Sequence, residues 1–529
     1  MDYRISKPKV SIIIPVYNNA PFLEQSIRSA ICQTYANIEI VMVDDCSTDP
    51  AVQPILDKFS AYPNVRLYRN NQNQGISRTQ NIAIFHATGD IIAFLDCDDL
   101  LEPFAVELSL VHWTEETKYS FSNRIHIDEH SCEIKRVGCE HNPLHDLFTE
   151  QLDANMYASH FKMISRDVFR IIGVFNPDYD SAQDYDLVLR AAFRYPRTAF
   201  VHVPYYLYKY RIHSKQTTHL IMQQQIKLAG RISHDAKMRR NIRNGHFHIP
   251  IQFVIVTHKN GKAALKCIRS IEKTVHVPYG ILLFENGSPT RCTTYIRRRI
   301  RNRPGVKAIF SRNRISPASA LREALRFVRK DAYIIRLDPD LKATEGWIEE
   351  LLVRAEASED IGAVSCRIAS KSVIHFTGGL EKRSGLTVKF DLCHKGANPE
   401  DLSAMEFRDI DWNPGDATLY KRWFTVPDGY HDVYHDMALS YGLRKNGKRL
   451  VNAPGSLLIR RGKPAETEEN LSASNVKPGL LLRSAAQFFI DHQLIIDDPP
   501  MYALNRFNSQ HMSEQDLATT LHMAYFTYS

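Results

Sequence analysis

Two acidic turns near the start of this chain each follow an apolar run. Asp44-Asp45-Cys46-Ser47 follows Ile40-Val41-Met42-Val43, and Asp96-Cys97-Asp98-Asp99 follows Ile91-Ile92-Ala93-Phe94-Leu95. Such runs read as strands buried on both faces of a parallel sheet. Acids at the carboxyl ends of those strands face the crevice where open α/β sheets bind ligands. An Asp-x-Asp-Asp turn there can hold a hard divalent cation through carboxylate oxygens, and the cation can hold a diphosphate. The chemistry indicated is that of a nucleotide.

The elements around these turns alternate. Val10 to Ile14, Ile38 to Val43, Val65 to Arg69 and Ile91 to Leu95 read as strands, while Ala20 to Thr34, Pro54 to Tyr62 and Ser77 to Ala87 carry helical spacing. This βαβ rhythm predicts a doubly wound, Rossmann-like, mostly parallel sheet with right-handed crossovers. From Leu220 to His248 apolar density falls and bases cluster in Lys237-Met238-Arg239-Arg240-Asn241-Ile242-Arg243, which reads as a helical connector. Its basic face is either solvated or set against phosphate-bearing lipid or glycan.

The pattern then restarts. Gln252-Phe253-Val254-Ile255-Val256-Thr257-His258-Lys259-Asn260 resembles Ser11-Ile12-Ile13-Ile14-Pro15-Val16-Tyr17-Asn18-Asn19. Ile268-Arg269-Ser270 echoes Ile27-Arg28-Ser29. Glu285-Asn286-Gly287-Ser288 stands where Asp44-Asp45-Cys46-Ser47 stood, and Asp338-Pro339-Asp340 where Asp96-Cys97-Asp98 stood. Four matches in one order at nearly constant offset predict a tandem repeat. The expected division is 1–220, a connector over 221–249, a second copy over 250–462 and a helical extension over 463–529. In the last, Leu480-Leu481-Leu482 and Phe488-Phe489-Ile490 bracket an amphipathic helix. It either packs on the second copy or docks on a membrane surface or partner.

Bulk properties agree. A chain of 529 residues exceeds what one core organises. The 44% hydrophobic and 24% charged content is that of a folded protein, and the net charge of +8 suits an anionic substrate or surface without implying nucleic acid. Nine cysteines without a Cys-x-x-Cys pair read as reduced thiols. The polar N-terminus lacks a signal-peptide core, and no run approaches the ~18–20 apolar residues of a membrane span. The expected location is cytoplasmic, with peripheral membrane contact left open.

The ordered set Val10-Ser11-Ile12-Ile13-Ile14-Pro15-Val16-Tyr17-Asn18, Asp44 to Asp49, Asn73 to Asn81, Gly89 to Asp99, Gln183 to Arg190 and Tyr210-Arg211-Ile212-His213 resembles the family 2 glycosyltransferases, which use the GT-A fold. The resemblance covers roughly residues 8–220. It implies metal-dependent inverting transfer of a sugar from a nucleotide donor, UDP favoured, to an acceptor hydroxyl. By that resemblance Pro15 and Tyr17 wall the base pocket, Asp45 accepts from a pyrimidine imide, and Arg78 offsets nucleotide charge. Asp96 and Asp98 frame the ribose and Mn²⁺ or Mg²⁺, with Asp98 the direct ligand. Asp99 touches the donor sugar, His213 completes the metal or diphosphate site, and Asp184 is the general base. Plainer roles stand beside these. Asp44 and Asp45 can cap the next helix, Asp186 can be a helix-start charge rather than the base, and His213 can be a surface residue.

The second copy departs from this pattern. Arg314, Pro317 and Ala320 align with Gly75, Arg78 and Asn81, and Leu341 aligns with Asp99. Asp338 and Asp340 are its nucleotide and metal candidates, and Asp436, after Gly429-Tyr430-His431-Asp432-Val433-Tyr434-His435, is its candidate base. Retained acids favour a second active site, the lost Gly and Arg disfavour it, and the balance tips to activity. The leading reading is a transferase acting on a surface polysaccharide or glycoconjugate acceptor, with two sites adding sugars in turn. Its rivals are a single transferase on a protein or peptide whose second copy reads the acceptor, and a non-catalytic glycan- or nucleotide-binding protein. A nucleotidyltransferase is a further rival, disfavoured because Pro15-Val16-Tyr17-Asn18-Asn19 is not the Gly- and Lys/Arg-rich phosphate loop such enzymes usually carry.

Overall fold

The computed structural model describes residues 7–138, 148–149, 156, 158–214, 222–422, 424–430, 434–461 and 478–496. Parts of the expected connector and C-terminal extension, namely 221, 463–477 and 497–529, lie outside the described residues, as do His431, Asp432 and Val433. Contacts divide the chain into two units, residues 1–237 with 400–407, and 238–399 with 408–529.

In the first unit β1 (Val10–Val16), β2 (Ile38–Asp44), β3 (Val65–Arg69) and β4 (Ile91–Phe94) pair in parallel, β1 between β2 and β4. Every residue of β1 and β2 is buried. Burying each Val or Ile there contributes roughly 2 kcal/mol, which is why these runs fix the sheet centre. The sheet continues through β5 (Leu100–Leu101), β6 (Tyr119–Ile127), β7 (Glu133–Val137), β8 (Met163–Ser165) and β9 (Phe200–Arg211). Its order is β3-β2-β1-β4-β8-β6-β9-β5, with β7 on β6. The helix Ala20–Ile31 buries Leu23, Ile27 and Ala30 at helical spacing against it.

The second unit repeats this order. Its strands are β10 (Ile251–Thr257), β11 (Tyr279–Glu285), β12 (Val306–Phe310), β13 (Tyr333–Leu337), β14 (Leu341–Ala343), β15 (Ile361–Ala369), β16 (Ile374–Phe376), β17 (Gly379–Ser384), β18 (Thr387–Leu392), β19 (Asp409–Ile410), β20 (Ala417–Tyr420), β21 (Arg449–Arg460) and β22 (Ile495–Ile496). The main sheet runs β12-β11-β10-β13-β20-β15-β21-β14, matching the first position for position. A small sheet β17-β18-β22 packs with the helix Pro478–His492, whose Ala486 and Phe488 are fully buried. The repeat reaches single atoms. Asn18 N donates to Ser47 Oγ at 2.8 Å and Lys259 N to Ser288 Oγ at 2.7 Å, with Asn18 and Lys259 both left-handed at φ 57° and 56°.

Candidate functional site

In the first unit the predicted residues gather at the carboxyl ends of β1, β2 and β4. Pro15 is buried within β1, and Tyr17 just beyond it is 44% exposed. Asp45 is buried. Its Oδ1 accepts from Asn70 Nδ2 at 2.7 Å and Gln74 N at 2.8 Å, and its Oδ2 from Gly75 N at 3.0 Å. The carboxylate therefore ties down the loop leading to the helix Ile76–His86, on whose first turn Arg78 is exposed. Asp44 caps its own turn, accepting from Ser47 N at 3.0 Å.

The β4 turn supplies three acids. Asp98 Oδ2 lies 3.0 Å from His213 Nε2, and the His213 ring packs 4.9 Å from Phe22. His213 is 5% exposed, so it is not a plain surface residue. Asp99 is buried, with Oδ1 accepting from Arg211 N at 2.7 Å, a strand contact beside its expected role on the donor sugar. Ligand atoms of Asp96, Asp99 and His160 lie within 4.8 Å of one another. Burial pushes the Asp96 carboxyl up to about 7, against the pull of Lys162 and with the push of Asp98 and Asp184. Burial likewise raises Asp99 and holds the His160 ring well below the usual imidazole range. A neutral imidazole among carboxylates that disfavour one another's charge fits a divalent cation by donor type and by the charge it would relieve.

Asp184 opens the helix Gln183–Arg194. Lys162 Nζ, just before β8, lies 2.8 Å from its Oδ2, while its Oδ1 is buried without a hydrogen-bond partner among the described residues. Asp186 is committed elsewhere. It pairs with Arg190 at 2.8 Å, and Arg190 donates to the carbonyls of Ile172, Gly173 and Val174. That is a structural brace, in keeping with a helix-start charge.

The residues that sequence reasoning missed are His160, Lys162 and Asp180. All three come from the stretch 100–180, which carries no motif. Asp180 Oδ1 accepts from Ser77 N at 2.7 Å, and a Cβ on Gly75, at φ +85°, would stand 2.6 Å from Asp180 Oδ2. Gly75 is thus required by both its backbone and its neighbour, and that glycine was the one available signal.

The second unit brings its acids together differently. Asn286 holds its loop through Ile315, accepting from its N at 3.0 Å and donating to its O at 2.8 Å. Asp436 Oδ1 lies 2.5 Å from Arg336 Nη1 and 3.3 Å from His435 Nε2. Burial raises the Asp436 carboxyl, but Arg336 and His435 outweigh it and hold it below the usual carboxylate range. Arg460 lies 3.4 Å from each of Asp338 and Asp340 and 2.6 Å from Asp416. A guanidinium thus already stands within ion-pair distance of these acids, which sets the turn apart from the first one, although Asp340 Oδ1 itself is buried without a hydrogen-bond partner among the described residues.

The chain is similar to several known proteins. The chain is 30% identical over 214 residues to the chondroitin synthase of Escherichia coli, covering 40% of this chain and 30% of that protein. It is 32% identical over 187 residues to the hyaluronan synthase of Pasteurella multocida, covering 35% of this chain and 18% of that protein. The chain thus spans less than a third of the length of either relative. Among solved structures it aligns with the mannosyltransferase PcManGT from Pyrobaculum calidifontis in complex with GDP-Man and Mn²⁺ at 18% identity, with a TM-score of 0.34 over 47% of this chain and 68% of that one. The sequence profile of glycosyl transferase family 2 matches residues 11–173 and again residues 252–414. With that profile matched twice, the chain belongs to glycosyl transferase family 2.

Proposed function

We propose that the first unit transfers a sugar from a nucleotide-sugar donor, UDP-linked by preference, to an acceptor hydroxyl with inversion at the anomeric carbon. The observation that carries this is the Asp184 carboxylate, gripped by Lys162 at one oxygen while the other is buried without a hydrogen-bond partner among the described residues. Such an oxygen can take the proton of the acceptor hydroxyl. The acceptor oxygen then forms its bond to the anomeric carbon on the face opposite the leaving group. The bond from that carbon to the diphosphate breaks, and its electron pair leaves with the nucleoside diphosphate.

Asp98 with His213, and the adjoining cluster of Asp96, Asp99 and His160, are the residues that would hold Mn²⁺ or Mg²⁺, and a bound cation would neutralise charge on the departing diphosphate. Tyr17 and Pro15 wall the base, and Asp45 positions the nucleotide loop. The named relatives support a polysaccharide acceptor rather than a protein.

The test is nucleotide release from a panel of sugar nucleotides with Mn²⁺ or Mg²⁺. Asp98→Ala should abolish it, and Asp184→Asn should retain donor binding while losing turnover. Near wild-type turnover in Asp184→Asn would remove Asp184 from the mechanism.

A further inference from the structure

Strand register exposes two paired exchanges between the units. Ile13 faces Phe94 and Val254 faces Arg336 across matching parallel pairs. Continuing the antiparallel pairing of β4 with β8 and of β13 with β20 sets Thr418 where the first unit has Lys162, and Asp416 where it has His160. Phe94 and Lys162 in one unit thus become Arg336 and Thr418 in the other. The cation beside the helix-start acid has moved from one strand to its neighbour. The pairing of β5 with β9 and of β14 with β21 sets Arg460 where the first unit has Tyr210. His160 and Tyr210 thus become Asp416 and Arg460, an acid and a base gained together and joined at 2.6 Å.

The gained arginine lies among the acids of the turn. Arg460 is 8% exposed, with Nη2 3.4 Å from Asp338 and Nε 3.4 Å from Asp340, so one guanidinium spans both acids of the turn. Its strand is fixed there by Arg461 N donating to Asp340 O at 3.0 Å. In the first unit the nearby Arg211 instead donates through Nε to the Asp98 carbonyl at 2.8 Å and through its backbone N to Asp99 Oδ1 at 2.7 Å. Swinging Arg460 out would strand three acids without their cation, and leaving it in sets a fixed positive charge against any incoming ion.

We propose that Arg460 stands in for the divalent cation of the second unit, which binds no metal, so that the chain takes up one Mn²⁺ rather than two. The inference rests on the reading of the first unit as a metal site. The experiment counts Mn²⁺ per full-length chain by electron paramagnetic resonance with UDP present. Wild type should bind one ion, Asp98→Asn none, Asp340→Asn one, and Arg460→Gln two. Two ions in wild type with one lost in Asp340→Asn would overturn the proposal, and so would a folded Arg460→Gln that gains none. If Arg460→Gln does not fold, the wild-type and Asp340→Asn counts decide it. A wild type that binds no ion sinks the metal reading of the first unit, and the role of Arg460 is then judged by the gain in Arg460→Gln alone.

Discussion

Lys162 Nζ stands 2.8 Å from Asp184 Oδ2, and it reaches that carboxylate from just before β8 rather than from the helix that carries it. The side chain of Lys162 is 9% exposed and that of Asp184 29%, so the ammonium is buried while the carboxylate is still reached by solvent. Its effect is to fix one carboxylate oxygen, while the other has no hydrogen-bond partner among the described residues. Lys162→Met should lower kcat about 10²-fold, the scale of a positioned proton transfer, with the KM for donor nearly unchanged. Steady-state kinetics with saturating Mn²⁺ check this, and a kcat within twofold of wild type would show the pair to be structural only.

His213 touches Asp98 at 3.0 Å from the far end of β9. Removing a ligand or the group that orients it weakens metal binding roughly 10–100-fold. His213→Ala should therefore raise the Mn²⁺ concentration for half-maximal nucleotide release by that factor while retaining the rate at saturating metal. An unchanged Mn²⁺ titration would detach His213 from the cation.

Gly75 has both a left-handed backbone and Asp180 against it. Gly75→Ala should cost about 1–2 kcal/mol of stability and raise the KM for donor, because the same loop is tied to Asp45. The melting temperature and the donor KM are read together. If both stay at wild-type values, the loop does not frame the nucleotide.

Glu39 lies in the core of the first unit, where burial pushes its carboxyl up. Bonds from Lys9, Ser11 and Thr88 outweigh this and hold it at about 2, below its ordinary 4.5. The folded value is the lower one. The stability it confers is therefore fully present above pH 4.5 and is lost as the pH falls from 4.5 towards 2. A depression of that size corresponds to about 3 kcal/mol. Urea midpoints of wild type and Glu39→Gln should differ widely at pH 7 and converge towards pH 3. A gap that does not narrow on acidification would refute the linkage.

The sequence by itself determined the strands and their contents. Runs such as Ile12-Ile13-Ile14 and Ile91-Ile92-Ala93 can only be buried on both faces, and the acids that follow them must then emerge at the crevice. The order of four such motifs, repeated, determined the tandem copies, because local periodicity and turn chemistry are written in neighbouring residues. What only the tertiary structure decided are the partners that come from far along the chain. Lys162 reaches Asp184, Asp180 closes on Gly75 over 105 positions, and Arg460 reaches Asp338 across 122 residues. These contacts depend on which strand lies beside which, and a one-residue change of register would turn each side chain to the other face. Whether a retained acid is open or already neutralised is therefore not written beside it. Asp184 and Asp436 occupy similar motifs, but only the folded sheet shows that Asp184 keeps a buried oxygen without a partner among the described residues while Asp436 is held by Arg336 and His435.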